Sequence, residues 1–341
     1  MNELSNFTTL RVGGPAQKIV HAHSEDELIQ FVKSADEAKE PVLILGGGSN
    51  LLISDAGFAG TVIRVENKGN ALEYDACSGG MIEVAAGEDW DKFVELSINQ
   101  GFADLESLSG IPGTVGGSPI QNIGAYGHEV SETIARVRVY DRVGKAIKTF
   151  AAAECNFSYR GSIFKSEKDR YVILNVTFQL RKGDQSLPIT YAELAKHLGV
   201  SIGDRAPVKE VRKAVLELRA RKGMLLDSSE NQIMSAGSFF VNPIISKAAA
   251  DKLPADAPRW PQSDGQVKTS AAWLMEQAGV LKGEKFAGAQ ISERHVLALT
   301  NSGTAKADDI VKLAKVAKQR VFEKFGIELK AEVQLIGLDL N

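Results

Sequence analysis

The apolar positions of the first part of the chain alternate between helical and strand spacing. Ser24–Glu27 matches a capping box, in which a Ser and a Glu side chain satisfy backbone N–H groups at a helix start. Apolar residues at helical spacing follow and predict a helix to about Lys39. The apolar runs Val42–Leu45 and Thr61–Val65 predict strands, and Phe7–Gly14 predicts an extended opening segment. Helices between short strands indicate layered α/β structure.

From about residue 70 the pattern is that of an α+β unit. One helix is expected at Trp90–Ile98. Alternating or β-branched runs predict four strands, two of which form a hairpin across Arg-Val-Gly at 142–144. These strands are Ile82–Ala86, Arg136–Tyr140, Ala146–Phe150 and Tyr171–Leu180.

The last third carries mostly helical spacing. Helices are predicted at Pro207–Lys222, near Ser270–Gln277 and at Ala305–Phe325, the last of them followed by Gly326 as a C-terminal cap. A loop at Gly223–Asn231 and a strand at Val296–Leu299 lie between them. Ile327–Ile336 alternates polar and apolar residues, which predicts that the chain ends in a strand.

Composition excludes several classes of protein. A chain of 341 residues with 44% hydrophobic and 24% charged residues is typical of a soluble protein of two or three domains. A net charge of −3 gives no reason to expect nucleic acid or an anionic membrane as a partner. Two cysteines, Cys77 and Cys155, support neither a disulfide framework nor a thiolate metal site. Because we see no signal peptide and no run of about 18 apolar residues, we expect a cytoplasmic protein. We also expect a monomer and no metal site.

Two glycine-rich stretches are the strongest candidates for a ligand site. The stretch at 111–127 interleaves glycine and proline with Ile, Gln, Asn and Tyr, which predicts a rigid loop packed on something flat or anionic. The stretch at 41–52 is an apolar run that ends in three glycines, Ser and Asn. A strand that ends in exposed N–H groups forms an anion-binding nest. The spacing matches neither a P-loop nor a dinucleotide fingerprint, and a purely structural turn remains open for either stretch.

Six motifs, in order along almost the whole chain, resemble the MurB family of UDP-N-acetylenolpyruvoylglucosamine reductases. They are Leu-Gly-Gly-Gly-Ser-Asn at 45–50, Ala-Gly-Glu-Asp-Trp at 86–90, the glycine-rich stretch at 111–127, Tyr-Arg-Gly-Ser-Ile-Phe-Lys at 159–165, Ala-Gly-Ser-Phe-Phe-Val-Asn-Pro at 236–243 and Glu-Val-Gln-Leu-Ile-Gly at 332–337.

The resemblance implies a mixed α/β fold of the α+β class. It contains a two-part FAD-binding region of the PCMH/vanillyl-alcohol-oxidase-like type and a separate α+β substrate-binding domain. The implied division is 1–69 and 70–218 for the two FAD-binding subdomains, 219–325 for the substrate-binding domain, and 326–341 for a C-terminal strand that carries Glu332 back to the active site.

The resemblance also implies the chemistry: NADPH reduces FAD, and the enolpyruvyl group of UDP-N-acetylglucosamine enolpyruvate is then reduced to give UDP-N-acetylmuramate for peptidoglycan synthesis. Arg160 would hold the substrate carboxylate, Ser238 would protonate C2, and Glu332 would hydrogen-bond the developing enol. On sequence alone, each of these three residues is more often a surface or turn residue.

The remaining site residues are likewise assigned by resemblance. Substrate contacts are expected from Tyr159, Tyr191, Lys222 and Asn242, and Tyr191 points to the subgroup with a substrate-closing Tyr loop. The expected FAD contacts are Leu45, Gly46, Gly47, Gly48, Ser49, Asn50, Ile111, Pro112, Gly113, Gly116, Gly117, Ser118, Gln121, Asn122, Gly124, Ala125 and Tyr126.

Three alternatives stay open at this point. An oxidase of the same flavin fold often tethers its flavin to a His in the first glycine-rich loop. Residues 44–52 hold no His, so we expect dissociable FAD. A non-redox UDP-sugar binding protein would have no use for Ser238 as a proton donor. A hydrolase is the weakest alternative, because no nucleophile-elbow pattern surrounds Ser238.

Overall fold

The structure, a computed structural model, describes residues 2–75, 79–226 and 234–340. Cys77 and residues 227–231 of the predicted loop at 223–231 lie outside the described residues.

Helices occur throughout the described residues. The α-helices are α1 Glu25–Glu37, α2 Trp90–Asn99, α3 Ile163–Ser166, α4 Ala192–Leu198, α5 Val208–Arg221, α6 Lys247–Asp251, α7 Ala271–Gln277 and α8 Ala307–Phe325. Short 3₁₀ helices cover Leu4–Phe7, Glu106–Leu108, Val115–Gly117, Val130–Glu132 and Ala152–Cys155.

The strands are mostly short. In chain order they are β1 Ala16–Ala22, β2 Val42–Leu45, β3 Leu51–Ile53, β4 Phe58–Val65, β5 Asn70–Asp75, β6 Gly79–Ala85, β7 Gly124–Ala125, β8 His128–Glu129, β9 Ile134–Asp141, β10 Ala146–Ala151, β11 Tyr171–Leu180, β12 Met234–Ser238, β13 Ile244–Ile245, β14 Arg259–Pro261, β15 Val267–Thr269, β16 Lys285–Phe286, β17 Ala289–Ile291, β18 Ala298–Asn301 and β19 Gln334–Ile336.

The chain divides into two compact units. The first, here the terminal unit, comprises residues 1–15, 48–58 and 227–341. The second, here the central unit, comprises residues 16–47 and 59–226. One boundary between the units falls between Gly47 and Gly48, inside the glycine-rich stretch at 41–52, which is here called the first stretch. Each unit is described separately below.

The central unit is built around a five-stranded antiparallel sheet in the order β10-β9-β11-β6-β5. A three-stranded sheet, β1-β4-β2, lies in the same unit, with β2 parallel to β4. Their shared core includes a cluster of aromatic rings: Phe93 of α2 lies 4.8 Å from Phe178 of β11, and the Trp90 ring lies 6.0 Å from Phe178. Truncation of one buried aromatic of this kind typically costs about 3–5 kcal/mol.

The terminal unit has its own hydrophobic core around α7 and α8. Its sheets are β12-β18-β17-β16 and β13-β15-β14, both antiparallel, and the parallel pair β19-β3. Asp55 joins β3 to the start of α8, because its carboxylate accepts the N–H groups of Ala307 and Asp308.

Most predicted elements are present, with small shifts at their ends. Tyr171–Leu180 is a strand over its whole predicted length, and Trp90–Ile98 is a helix. The Ser24 hydroxyl accepts the Glu27 N–H as the capping box requires, but the Glu27 carboxylate accepts from His23 rather than Ser24. The strand predicted at Val296–Leu299 begins two residues later, at Ala298.

Two predictions were wrong. Phe7–Gly14 is not extended over its whole length: Phe7 ends a 3₁₀ helix, and Arg11 N donates to the Thr8 carbonyl in a turn where Arg11 has φ 54°. The predicted last strand is only three residues long, Gln334–Ile336. Residues 327–333 do not continue it, because they form isolated backbone contacts, such as the Phe240–Ala331 bridge, and no continuous ladder. The alternation there reports burial: Ile327, Leu329 and Val333 face the core.

Candidate flavin and substrate site

In the central unit, Gly46 and Gly47 of the first glycine-rich stretch lie against the stretch at 111–127, here called the second stretch. A Cβ on Gly46 would lie 2.5 Å from Thr114 Oγ1, and one on Gly47 would lie 2.7 Å from the Gly113 Cα. Both distances are too short for any side chain. Glycine is therefore favoured after Leu45, the last residue of β2, where the first stretch packs against the second.

The second stretch is fixed to β6 and α2 through its backbone. Trp90 N donates to the Gly113 carbonyl at 3.1 Å, and Gly116 N donates to Ala86 at 2.8 Å. A Cβ on Gly116 would lie 2.6 Å from the Ala86 Cβ. The result is a surface of bare backbone, which is what a flat ring system or a phosphate needs for close approach. These residues fit the predicted cofactor.

Two of the predicted FAD contacts use their side chains for hydrogen bonds within the protein. The Ser118 hydroxyl donates to the Val115 carbonyl at 2.7 Å and is buried. The Asn122 amide nitrogen donates to Glu129 and to the Ser158 carbonyl, while its oxygen accepts from Ser131 N. These two side chains therefore hold the shape of the stretch.

The remaining positions of the second stretch differ in their exposure to solvent. Gly117 is exposed, and a Cβ there would meet Thr114 Oγ1 at an ordinary 3.9 Å. The half-buried predicted contacts are Ile111, Pro112, Gly113, Gln121, Gly124 and Ala125. Packing within the protein therefore does not explain why Gly117 lacks a side chain.

The end of the first stretch belongs to the terminal unit. Gly48 has φ 63°, and a Cβ there would lie 1.9 Å from the Phe7 carbonyl oxygen. The Asn50 amide donates to the carbonyl of Glu332 at 3.2 Å, and Gln334 N donates to the carbonyl of Asn50 at 3.0 Å. Ser49 lies between them in the turn. Asn50 is thereby joined to the segment that carries a predicted catalytic residue.

Arg160 occupies a tight turn of the central unit. Ser158 and Gly161 exchange two backbone hydrogen bonds of 3.0 Å around it, and Arg160 has φ 55°. Its guanidinium donates from Nη2 to the Gly124 carbonyl at 2.9 Å and lies 5.2 Å from the Tyr159 ring centroid. The structure therefore places the predicted carboxylate-binding Arg, with Tyr159, at the edge of the second glycine-rich stretch.

Ser238 and Glu332 lie next to each other along the backbone of the terminal unit. Ser238 ends β12 opposite Ala298, after a bulge at Gly237 with φ 72°. Glu332 N donates to the carbonyl of Phe239 at 2.8 Å. Both side chains are half-buried. Phe239 and Phe240 are fully buried and pack edge to face, which anchors this segment in the core.

A cluster of the central unit unites three other predicted residues. The Tyr126 and Tyr191 rings pack edge to face at 5.5 Å, and Lys222 Nζ lies 5.9 Å from the Tyr126 centroid. Burial raises the pKa of Tyr126 to about 12, so its hydroxyl stays protonated. Lys222 also forms an ion pair with Glu193, in the first turn of α4.

Asn242 is a helix-capping residue in the structure. Its side-chain oxygen accepts the N–H of Ala271 at 2.9 Å, at the start of α7. The Ser270 hydroxyl accepts the Trp273 N–H at the same helix end. Asn242 thus satisfies a backbone group that would otherwise lack an intrahelical partner.

Two charged residues near the site were missed from the sequence. Glu193 follows Tyr191 by two positions, but its pairing with Lys222 joins residues on different helices. Arg219 is buried and donates to the carbonyls of Gly110 and Met224 at 3.0 Å each. Burial holds the pKa of its guanidinium below the usual value. Its position one turn before Lys222 on α5 was the available signal.

No described helix has both the length and the apolar character that a membrane crossing needs. Within 2–75, 79–226 and 234–340, no group of three or more His, Cys, Asp or Glu side chains is arranged to hold a metal ion.

Comparisons with known proteins give matches over almost the whole chain. The family "UDP-N-acetylenolpyruvoylglucosamine reductase, C-terminal domain" matches residues 228–336, and "FAD binding domain" matches residues 16–149. UDP-N-acetylenolpyruvoylglucosamine reductase of Cutibacterium acnes is 51% identical over 337 residues, which cover 98% of this chain and 89% of that protein. The reductase of Thermobifida fusca is 47% identical over 349 residues, covering 99% and 97%.

Among solved structures, the reductase MurB from Thermus caldophilus is similar, with a TM-score of 0.65 and 26% identity over 98% of this chain and 97% of that one. The match extends over both units and supports the fold expected from sequence: an FAD-binding region with a further α+β domain.

Proposed function

The chain belongs to the family of UDP-N-acetylenolpyruvoylglucosamine reductases, and we propose that it catalyses the FAD-dependent, NADPH-driven reduction of UDP-N-acetylglucosamine enolpyruvate to UDP-N-acetylmuramate. This reaction supplies a precursor for peptidoglycan. The observation that carries the proposal beyond family membership is the backbone surface made where Gly46 and Gly47 pack on Gly113 and Thr114.

The backbone of the two glycine-rich stretches would hold FAD. Among the predicted contacts, Ser118 supports this by bonding inside the second stretch, and Asn122 supports it by bonding to Glu129, Ser131 and Ser158 outside the stretch. Residues 44–52 contain no His, and we propose that FAD is bound without a covalent link. When bound, FAD supplies the transfer of hydride from NADPH to C3 of the enolpyruvyl group.

Arg160 is proposed to bind the carboxylate of the enolpyruvyl group. A guanidinium offers two parallel N–H donors in the geometry that a carboxylate accepts. Addition of hydride at C3 leaves negative charge on C2 and the carboxylate, and a fixed positive charge lowers the energy of that arrangement. The left-handed turn at Arg160 and its bond to Gly124 support a fixed orientation of this side chain.

Ser238 is proposed to give the proton that C2 takes up, and Glu332 to hydrogen-bond the developing enol. A general acid must lie within hydrogen-bond reach of the atom that it protonates, which demands a rigid backbone. Buried Phe239 and Phe240, together with the bond from Glu332 to Phe239, support such rigidity for both residues.

For the UDP part of the substrate, Tyr191 and Lys222 are proposed as contacts. A Lys side chain is a mobile point charge suited to a phosphate, and an exposed Tyr ring can cover a bound ligand. Tyr191 is 41% exposed, although its ring packs on Tyr126. Tyr159 is proposed as a further substrate contact, next to Arg160. The part of Asn242 in substrate binding would be limited to its amide nitrogen, because its oxygen caps α7.

The setting of the enzyme is proposed on chemical grounds. NADPH and UDP-activated sugars are cytoplasmic metabolites, and we place the enzyme there as a monomer. Through the supply of peptidoglycan precursor it would support cell shape and division. Size-exclusion chromatography with light scattering tests the monomer, and a mass of twice 36.7 kDa would contradict it.

An anaerobic visible spectrum of the purified protein tests the function. Flavin absorbance should bleach on addition of NADPH and return when UDP-N-acetylglucosamine enolpyruvate is added. Bleaching without return would retain a flavin reductase but require another acceptor. Absence of flavin even after addition of FAD would refute the proposal. Colour that stays with the chain after denaturation would refute non-covalent binding.

A further inference from the structure

Lys222, the proposed contact of the substrate diphosphate, forms an ion pair with Glu193. Lys222 is the C-cap residue of α5, and Glu193 lies in the first turn of α4. The side chains are 25% and 42% exposed, respectively, so the pair lies at the edge of solvent. The carboxylate of Glu193 therefore stands where an anionic ligand of Lys222 would compete.

The surroundings of Lys222 are built for an anion next to an aromatic surface. Lys222 lies beside the ring of Tyr126, which contacts the edge of Tyr191. Tyr191 is itself the N-cap residue of α4, one position before that helix begins. An anion that draws Lys222 away from Glu193 would thus act on the helix end that carries Tyr191.

The packing of α4 on α5 does not depend on this ion pair alone. His197 Nε2 lies 2.8 Å from Glu217 Oε2, and Arg221 Nη2 lies 3.3 Å from His197 Nδ1. These contacts join the same two helices, near the other end of α4. A break between Lys222 and Glu193 therefore leaves the two helices connected.

We propose that Glu193 is a displaceable counter-ion, which pairs with Lys222 in the absence of substrate and is displaced by the diphosphate of the UDP-sugar. This rests on the proposed function, in which Lys222 faces that diphosphate. A diphosphate carries more negative charge than one carboxylate and offers more acceptor oxygens, so it wins the competition at Lys222. Glu193 is then a specificity-determining residue: a weak anion that disfavours ligands unable to replace it.

The test uses the FAD-loaded enzyme and UDP as the ligand, with affinity measured by calorimetry. Glu193→Gln removes the competing charge but keeps the shape of the side chain. Because partly exposed ion pairs contribute modestly, we expect UDP to bind roughly two- to five-fold more tightly. Glu217→Gln is the matched control, since it removes the other Glu that joins α4 and α5, and it should leave the affinity for UDP unchanged.

A double-mutant cycle assigns the effect to Lys222. In a Lys222→Met background, Glu193→Gln should no longer increase the affinity for UDP, because the cation for which Glu193 and UDP compete is absent. The KM of the enolpyruvyl substrate should fall with Glu193→Gln by a similar factor, with kcat unchanged or lower.

The outcomes separate this inference from the function on which it rests. Unchanged or weaker UDP binding by Glu193→Gln, or a gain that persists in Lys222→Met, overturns the role of Glu193 alone. Absence of UDP binding by the unsubstituted enzyme overturns both the inference and the proposed contact at Lys222.

Discussion

The backbone N–H of Glu332 donates to the carbonyl of Phe239 at 2.8 Å, so Glu332 is held beside the residue that follows Ser238. Val241 donates to Lys330 at 3.0 Å in the same way, and Phe240 bridges to Ala331. Two residues far apart in sequence are therefore fixed by one short antiparallel contact. Substitution of either side chain leaves these backbone bonds in place, which makes the two proposed roles separable from folding.

Removal of the Ser238 hydroxyl should affect one half of the reaction. Ser238→Ala should leave the reduction of bound FAD by NADPH nearly intact, because that step needs no proton at C2. Reoxidation by the enolpyruvyl substrate should slow by a factor of at least about 10² to 10⁴, the usual contribution of a general acid. Stopped-flow absorbance of the flavin measures both rates.

Ser235→Ala is the control for Ser238. It removes a hydroxyl from the same strand, one that accepts from Gly237 N at 3.4 Å, and should leave both rates near those of the unsubstituted enzyme. If Ser238→Ala slowed both half-reactions equally, the hydroxyl would have a structural role instead.

The Glu332 carboxylate can be tested against a neighbour on the same segment. Glu332→Gln should lower kcat by at least about tenfold while the FAD content stays unchanged, because the backbone N–H and C=O of residue 332 make the structural contacts. Glu328→Gln is the control: Glu328 is exposed and pairs with Lys318 at 2.9 Å. Equal turnover by the two variants would contradict a catalytic role for Glu332.

Gly117 and Gly116 should respond differently to the same added methyl group. Gly117→Ala meets nothing closer than 3.9 Å, so the melting temperature of the apoprotein should not change. If FAD lies against this backbone, the methyl overlap costs about 1–3 kcal/mol, or roughly five- to 150-fold in FAD affinity. Gly116→Ala lies 2.6 Å from Ala86 and should instead lower the melting temperature of the apoprotein.

Fluorescence titration of the two apoproteins with FAD provides the measurement. An unchanged dissociation constant for Gly117→Ala would show that FAD does not approach this glycine. It would restrict the flavin surface to the half-buried part of the stretch.

Sequence patterns predicted elements well wherever local residues decide the structure. Tyr171–Leu180 combines β-branched and aromatic residues with a ladder on both sides, so propensity and pairing agree. At 327–333 the alternation was equally clear, yet a ladder forms only where β3 offers a partner, at residues 334–336. Burial follows from the pattern of one segment, whereas strand pairing depends on a second segment.

In the candidate site, too, the sequence predicted what depends on local residues but not what depends on a second segment. The glycines could be singled out because only glycine fits where backbone meets backbone, as between Gly47 and Gly113. Asn122 and Ser118 were assigned to the cofactor because the stretch that carries them resembles the family motif. The partners of Asn122, which are Glu129 and the Ser158 carbonyl, can be recognised only once the chain has folded. The Val115 carbonyl becomes the partner of Ser118 because this segment forms a 3₁₀ turn. The pairing of Glu193 with Lys222 depends on the packing of α4 on α5 in the same way.

The ion pair of His128 predicts a pH-dependent stability. His128 Nδ1 lies 2.8 Å from Glu132 and its Nε2 lies 3.3 Å from the Pro188 carbonyl, so both nitrogens face acceptors and only the imidazolium can donate to both. Burial alone would lower the pKa of His128, but the bond and charge of Glu132, with smaller effects of the Pro188 carbonyl and of Glu106, raise it above 6.5. The pKa of Glu132 is lowered: burial acts against this shift, and the bond from His128 outweighs it.

These two pKa shifts determine how the stability of the folded chain changes with pH. A raised His pKa contributes stability that is complete below 6.5 and is lost as the pH rises through the folded-state pKa. Glu132 stays ionised throughout that range. The loss of unfolding free energy caused by Glu132→Gln should therefore be larger near about pH 6 than near about pH 9, by about 1 kcal/mol or less because Glu132 is partly exposed. Urea unfolding at both pH values measures it.

Glu154→Gln separates this effect from loss of a backbone contact. Glu154 accepts the Ala151 N–H at 2.8 Å, as Glu132 accepts the Glu129 N–H at 2.8 Å, and both close a short 3₁₀ turn. Glu132 differs in that it also pairs with a histidine. The cost of Glu154→Gln should thus be the same at both pH values, and only that of Glu132→Gln should fall with rising pH. Equal pH dependence of the two variants would mean that the imidazolium of His128 contributes nothing to the stability of the folded chain.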